Sequence, residues 1–360
     1  MKSTAKSKIR GRGASFNPGN RFEKMHIEDF KVDELDSFQN EPEDKKLKTI
    51  FYKDTTKSVI SINKSEDLGF DYSFNPYRGC EHGCIYCYAR PFHEYLGFSP
   101  GLDFESKIMV KEDAPGLLEQ TFKKKNYQPK PIMFSGVTDC YQPVEWKLQL
   151  TRKALEVCLK YRNPVAIVTK NSLIMRDIDI LSEMSKLNLV IVCLSITSLD
   201  RSLINRMEPK TSTPSRRLET IETLSKNGIY AGVNVAPIIP GLSDEEVPEI
   251  LKEVSNRGGQ FAHYTILRLP YAVKDLFVDW IRNEFPDRAD KVINRIKDVR
   301  EGKLNESEFG KRFIGVGKYY DTIRDLFILN CKKYGLNKND YHLTTKNFLR
   351  ETKSQMELFE

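Results

Sequence analysis

The feature that most constrains this chain is an alternation. From about Ser58 onward, short apolar runs rich in β-branched residues alternate with segments of helical period. Strands are predicted over 107–110, 132–134, 165–169, 190–195, 230–237 and 261–267. Helices are predicted between and after them, over 116–125, 145–161, 177–187, 216–227, 244–257 and 274–284. In the second helix Leu148, Ala154, Leu155, Cys158 and Leu159 fall on one stripe, as a core-facing helix requires. Asn227-Gly228 and Arg257-Gly258 mark helix stops. Successive strands joined by helical crossovers pair in parallel. The class is therefore α/β, either a doubly wound sheet or a barrel, complete or incomplete. No repeat of fixed period is visible beyond the alternation itself.

Composition narrows the rest. The 360 residues are 39% hydrophobic and 30% charged, a globular mixture, and 20 Gly with 17 Pro are too few for a low-complexity chain. The longest apolar run, 189–196, falls well short of the roughly 20 residues that cross a bilayer. The basic N-terminus lacks an apolar signal-peptide core, so a cytoplasmic setting with reduced thiols is expected. The net charge of +7 is unevenly spread: 1–24 carries seven Lys or Arg against one Glu, and 25–44 carries eight acidic residues against one Lys. Residues 1–57 therefore read as a basic then acidic extension, largely disordered. A sharper alternative has Arg10, Arg12 and Arg21, set among Gly11, Gly13 and Gly19, touching phosphates. The β/α core is expected over 58–270, a C-terminal helical segment over 271–336 with a helix at 317–334, and a polar tail over 337–360.

Parallel β/α folds carry their chemistry at the C-terminal ends of the strands. Thr138-Asp139 follows the strand at 132–134, and Thr169-Lys170-Asn171-Ser172 follows the next. Ser195-Ile196-Thr197 and Asn234, with the Pro-Ile-Ile-Pro-Gly segment 237–241, end the two after that.

Three of the seven cysteines lie together in Cys80-Glu81-His82-Gly83-Cys84-Ile85-Tyr86-Cys87, a C-x3-C-x2-C loop placed before the predicted strand at 107–110. Three thiolates on one short loop can wrap a single inorganic centre, and Gly79 and Gly83 allow the tight bend. Iron–sulfur clusters normally take four thiolates, so three would leave one iron of a 4Fe–4S cube open for an exogenous ligand. Two plainer readings stand beside this one: a Cys3His zinc site completed by His82, and three unrelated buried thiols. Cys158, Cys193 and Cys331 read as core, whereas Cys140 sits in a loop where chemistry is expected.

The cysteine loop at the head of a run of β/α units resembles the radical SAM superfamily. The string Cys84-Ile85-Tyr86-Cys87-Tyr88 resembles its spore photoproduct lyase-like, or DNA repair photolyase-like, group. The resemblance spans about 58–269. It implies a partial (β/α)6 TIM-type barrel with extended N- and C-terminal segments. It implies that Cys80, Cys84 and Cys87 hold a 4Fe–4S cluster, whose fourth iron binds S-adenosylmethionine and whose electron releases a 5′-deoxyadenosyl radical that takes hydrogen from a substrate. By the same resemblance Tyr86 lies beside the cofactor and Tyr88 is linked to hydrogen return. Thr138 and Asp139 match a Ser-Asp pair that contacts the cofactor, Lys170 approaches its carboxylate, and Ser195, Asn234 and Ala236 line it. One departure matters: Gly136 stands where the photolyase has a hydrogen-returning cysteine. Either Cys140 takes that role or the substrate differs.

The remaining segments carry less. Glu145 suits a helix first turn or the site. Arg216 and Arg217 begin a helix and read as a solvated helix start or as phosphate ligands, and Lys123-Lys124-Lys125 reads as dipole compensation. His26, His93, His263 and His342 have no ligand spacing. Arg268 could reach an anionic substrate or form a surface ion pair. Gln355, Leu358 and Phe359 resemble the peptide with which bacterial DNA-processing proteins dock on the sliding clamp. The sequence thus points to a radical SAM enzyme acting on nucleic acid and served by an electron donor. RNA, protein or small-molecule substrates are the alternatives, and a zinc-stabilised nucleic-acid-binding module without catalysis is the third reading.

Overall fold

A computed structural model describes residue 9, residues 11–22 and residues 47–350. Arg10, the acidic stretch 25–44 and the clamp-like residues Gln355, Leu358 and Phe359 lie outside the described residues. Among the described residues ten strands are formed: β1 (Ile50–Lys53), β2 (Ile60–Ile62), β3 (Tyr72–Phe74), β4 (Tyr77–Arg78), β5 (Lys107–Val110), β6 (Ile132–Phe134), β7 (Val165–Thr169), β8 (Val190–Ser195), β9 (Ala231–Ile238) and β10 (Phe261–Ile266). The main sheet runs β10-β9-β8-β7-β6-β3-β2. Its first six strands are parallel, and β2 is an antiparallel edge. β10 and β2 remain unpaired to each other, so the sheet is an open, partial barrel of the α/β class.

One strand of the expected six is misplaced by the sequence reading. β5 is not in the main sheet; it pairs parallel with β1 and antiparallel with β4 in a separate three-stranded sheet. The first parallel strand is β3, whose Tyr-Ser-Phe has no apolar run to announce it. This moves the cysteine loop to the C-terminal end of a parallel strand, level with the other strand tips.

Five expected strand–helix units form nearly as read. The helix expected over 145–161 is divided by Gln149, at φ 54°, into Glu145–Leu148 and Leu150–Tyr161. The break has a local cause: the Glu145 carboxylate accepts the Leu150 and Thr151 amides and so caps the second helix. Helix Arg201–Met207 was not foreseen; it is capped by Asp200, which accepts the Ser202 and Leu203 amides, whereas Pro286–Asp298 lies within the segment expected to be helical. The core lies between sheet and helices, where Phe74, Phe134, Ile167, Val192 and Val233 meet Leu155, Leu181, Ile221 and Ile250. No helix among the described residues is long and apolar enough to cross a membrane.

Two peripheral segments are packed. Within the extension expected to be solvated, residues 11–22 lie against the cysteine loop, and Arg12 and Ala14 are buried. Arg12 donates to the carbonyls of Glu105 and Leu47, and Arg21 pairs with Glu94 at 2.7 Å, so neither guanidinium is free for phosphate. The tail straps the N-terminal ends of the strands. Asn337 completes the edge of β10 by exchanging both hydrogen bonds with Ala262, Tyr341 stacks on Tyr230 at 4.2 Å, and Arg350 ends the strap on the Lys125 and Tyr127 carbonyls. At the opposite, C-terminal end, residues 299–316 form a non-helical connection inside the segment expected to be helical.

Candidate active site

The cysteine loop is shaped by its glycines and held from several sides. Gly79 and Gly83 adopt φ of 79° and 66°, which side chains rarely tolerate. The Cys80 amide bonds the Phe104 carbonyl, Ile85 bonds Met207, and the Glu81 amide bonds the Gln142 side chain. Beneath the loop lies Arg90, fully buried, whose guanidinium donates to the carbonyls of Gly83, Cys84, Pro100 and Gly101 and pairs with Glu105 at 2.5 Å. Glu105, also fully buried, accepts the Gly13 and Ala14 amides at 3.0 and 2.9 Å. A Cβ on Gly13 would stand 1.8 Å from the Gly83 carbonyl oxygen, so only glycine fits there. The N-terminal arm and the cysteine loop are thus one assembly.

Cys80 and Cys84 are buried and Cys87 is half-buried. Burial and, secondarily, charged neighbours including the other cysteines of the loop push the Cys84 and Cys87 thiols up. No three His, Cys, Asp or Glu side chains among the described residues converge as ligands of one metal ion. His82 is already engaged at both ring nitrogens, Nδ1 on Asp139 at 3.3 Å and Nε2 on the Asn171 amide at 3.2 Å. In this arrangement Asp139 and Asn171 orient the ring, and His82 does not stand as a ready fourth ligand.

Asp139 is an internal hub. Its carboxylate accepts the Thr169 hydroxyl and the Tyr141 and Lys170 amides, besides His82. Burial opposes its charge, but His82 and these donors outweigh burial and hold its pKa down to about 2. Thr138 is buried, its hydroxyl donating to the Tyr77 carbonyl and its amide to Asn75. Both residues shape the β6 tip from within.

Around Tyr86 lies a second hub that the sequence reading missed. Its hydroxyl donates to Glu208, which also binds the Thr197 hydroxyl at 2.9 Å and pairs with the buried Arg217. Burial disfavours the Glu208 charge; Arg217 and Lys170 overcome it and hold the group down to about 2. Arg217 also donates to the Ser195 carbonyl at 2.8 Å, so it is neither a solvated helix start nor a phosphate ligand, whereas Arg216 forms an exposed pair with Glu219. Glu208 follows a short helix in an irregular loop, where no spacing signals it.

Lys170 is half-buried and stands over the Tyr86 ring, its Nζ 5.8 Å from the centroid and in no ion pair or hydrogen bond with a described residue. Across from it, Ser195 and Asn234 are in register on β8 and β9, and the Asn234 Oδ1 is buried with no partner. The Ala236 carbonyl, two residues on, is taken by Thr197. At the mouth, Tyr88 is 48% exposed and donates to the Gly136 carbonyl at 2.8 Å. Cys140 is elsewhere. It is fully buried in the main core, with its thiol pushed well up by burial and by Asp139. Crossing Asp139 by one residue turns its side chain away from the mouth, which removes it as a hydrogen donor. Glu145 is likewise buried, bound by Tyr77 and Arg176 as well as by the helix it caps.

The family profile described as Radical SAM superfamily matches residues 74–254. An uncharacterised protein of Mycobacterium tuberculosis, Rv2578c, is 30% identical over 240 residues, 66% of this chain and 71% of that protein. An uncharacterised protein of Methanocaldococcus jannaschii, MJ0683, is 31% identical over 254 residues, 67% of this chain and 92% of that protein. Among solved structures, spore photoproduct lyase complexed with dinucleoside spore photoproduct superposes with a TM-score of 0.55 at 17% identity, covering 79% of this chain and 80% of that one. The last likeness is one of fold.

The brace beneath the loop has a measurable consequence. Glu105→Ala leaves Arg90 buried without its counter-charge and frees two arm amides, so chemical denaturation is expected to show a loss of about 3–5 kcal/mol. A loss below ~1 kcal/mol would mean that the arm and loop are held by other contacts.

Proposed function

The chain belongs to the radical SAM superfamily and is an enzyme of that chemistry, using S-adenosylmethionine and an iron–sulfur cluster; from this premise we propose that Cys80, Cys84 and Cys87 hold the cluster and that the substrate is nucleic acid. The residues fit such a group. The loop presents three thiols around a tight bend, its one histidine is spent elsewhere, and the wall opposite offers an unpaired ammonium and an orphaned amide oxygen. When bound, the pair of cofactors supplies a 5′-deoxyadenosyl radical that takes hydrogen from the substrate.

The observation that carries the reading is Lys170. A half-buried ammonium in no ion pair, with the neighbouring Glu208 already taken by Arg217 and Tyr86, is suited to a ligand carboxylate, and the carboxylate of S-adenosylmethionine is the one this site calls for. Tyr86 forms the floor below it, fixed by Glu208. Asn234 Oδ1 is an acceptor waiting for a donor, and Ser195 and Ala236 complete that wall. Asp139 and Thr138 hold the β6 tip and the Lys170 backbone in place. Tyr88, at the mouth, is the group nearest an entering substrate.

The nucleic-acid reading draws on the fold shared with a photolyase that is complexed with a dinucleoside lesion, and on the basic charge of the chain. Reversal of that same lesion by the same route is disfavoured. Gly136 offers no thiol at the mouth, and Cys140, Cys158, Cys193 and Cys331 are all buried. All seven cysteines are free, which suits a reduced, cytoplasmic setting. Arg350 is anchored on the Lys125 and Tyr127 carbonyls, and the clamp-like residues Gln355, Leu358 and Phe359 follow it as a docking peptide for the sliding clamp.

Anaerobically prepared protein is expected to be brown and, once reduced, to release 5′-deoxyadenosine from S-adenosylmethionine. Lys170→Ala should weaken S-adenosylmethionine binding about tenfold to hundredfold, the worth of one charge-assisted contact; unchanged affinity would remove the assignment of Lys170. Colourless protein carrying stoichiometric zinc would overturn the whole reading. With an oligonucleotide substrate, Cys140→Ala should leave the product distribution unchanged, as mass spectrometry of the products will show. A tail peptide covering 351–360 should be retained by immobilised sliding clamp, and Phe359→Ala should abolish retention.

A further inference from the structure

The connection 299–316 has no part in the chemistry so far, yet it brings two guanidinium groups, Arg300 and Arg312, beside a third, Arg268, that follows β10. It lies over the C-terminal end of β10, where Leu269 bonds Asn305 and Arg300 donates to the Ile266 and Leu267 carbonyls. From there it reaches the loop joining β2 and β3, and Arg312 pairs with Asp67 at 2.7 Å. The two unpaired edges of the open sheet are thus tied across a gap by Arg312 on Asp67 and Ser65 and by the Gly310 amide on Asp67.

In this gap stands Arg268, two residues past β10. Its guanidinium lies over the Phe313 ring at 4.5 Å, and Arg312 lies over the same ring at 5.1 Å. Arg312 is neutralised by Asp67 and Arg300 is spent on carbonyls. Arg268 has no acceptor among the described residues, and its Nε is buried without a partner. It is also close enough to Tyr88 for each to feel the other's charge. The sequence offered a surface ion pair or an anionic ligand for this residue, and the ion pair is not there. A planar donor fork held over a ring, half withdrawn from water and lacking an anion, is built for a bidentate oxyanion. Phe309, 64% exposed, lies under Arg312 at 4.5 Å, so rings and cations alternate along the gap. That pattern matches a single strand, whose bases stack while its phosphates pair.

We propose that Arg268 is a phosphate-binding residue of a substrate subsite at this gap, seating one backbone phosphate of a nucleic-acid strand beside Tyr88. The inference rests on the nucleic-acid reading above and sharpens it. Fluorescence anisotropy of a labelled single-stranded oligonucleotide, titrated with full-length protein between 50 and 200 mM salt, tests both. Arg268→Gln is expected to raise Kd about tenfold and to flatten the slope of log K against log salt by about 0.7, one phosphate contact. Lys252→Gln, on the exposed face of the helix Val247–Asn256, should change neither. Equal Kd and slope for wild type and Arg268→Gln would overturn the subsite while leaving the nucleic-acid reading intact. No salt-dependent binding by the wild type would bring down that reading and the subsite with it. Should Arg268→Gln fail to fold, Arg268→Lys reads the same contact: the slope is kept and Kd rises severalfold, and an unchanged Kd overturns the subsite.

Discussion

The pair formed by Arg90 and Glu105 holds the rest of the site in place. Both side chains are fully buried, and a buried pair is stable only when every remaining donor and acceptor is satisfied. Here they are. Arg90 spends its donors on four loop carbonyls, and Glu105 takes two amides from a segment more than ninety residues away in sequence. A loop carrying three closely spaced thiols is otherwise poorly supported, since burying thiols among one another has little to recommend it in the absence of a ligand. The ion pair supplies rigidity from beneath, where it does not compete for the face that must stay accessible.

The same economy governs the two carboxylates above the loop. Asp139 and Glu208 are each buried, charged and fully engaged, Asp139 by His82 and backbone amides, Glu208 by Arg217 and two hydroxyls. Each fixes a neighbour that faces the opening: the Lys170 backbone in one case, the Tyr86 ring in the other. Their negative charge is neutralised internally, which leaves Lys170 as the unpaired charge of that wall. A site that must receive a zwitterion gains from this arrangement, because the anionic groups that could capture the ammonium are already occupied.

Much of this was legible in the sequence, for physical reasons that differ by residue. β6 to β10 announce themselves because a strand buried on both faces must be a nearly continuous apolar run. β3 does not, because three residues of Tyr-Ser-Phe carry no period. The cysteine spacing and the strand-tip residues Lys170, Ser195 and Asn234 could be placed, since strand order brings such tips together. What they bond to could not. Asp139 reads as a residue facing a cofactor but faces His82. Cys140 sits one position beyond it, and that single step puts its side chain in the core. Arg90, Gly13 and Glu105 were invisible because their contact joins distant segments, and because a buried ion pair looks in sequence like two ordinary polar positions.

The open sheet explains why the least conspicuous connection matters. A closed barrel would pair β10 with β2 and leave only the tips for recognition. In an open one, the gap between the edges must be managed, and an unpaired edge invites other strands. Along the strand starts the tail does this, with Asn337 standing in for a neighbouring strand on β10. Along the strand ends the connection 299–316 does it with a few polar contacts, Arg312 on Asp67 and Ser65 and the Gly310 amide on Asp67. Contacts of that size bridge the edges without filling the space between them. On the subsite proposed above, Arg268 and Phe313 flank the mouth on this side, apart from the wall that suits the cofactor. Separation of the two regions follows from topology: the thiol loop grows from the first parallel strand, the guanidinium from the last, and only an unclosed sheet brings those two strands to opposite sides of one entrance.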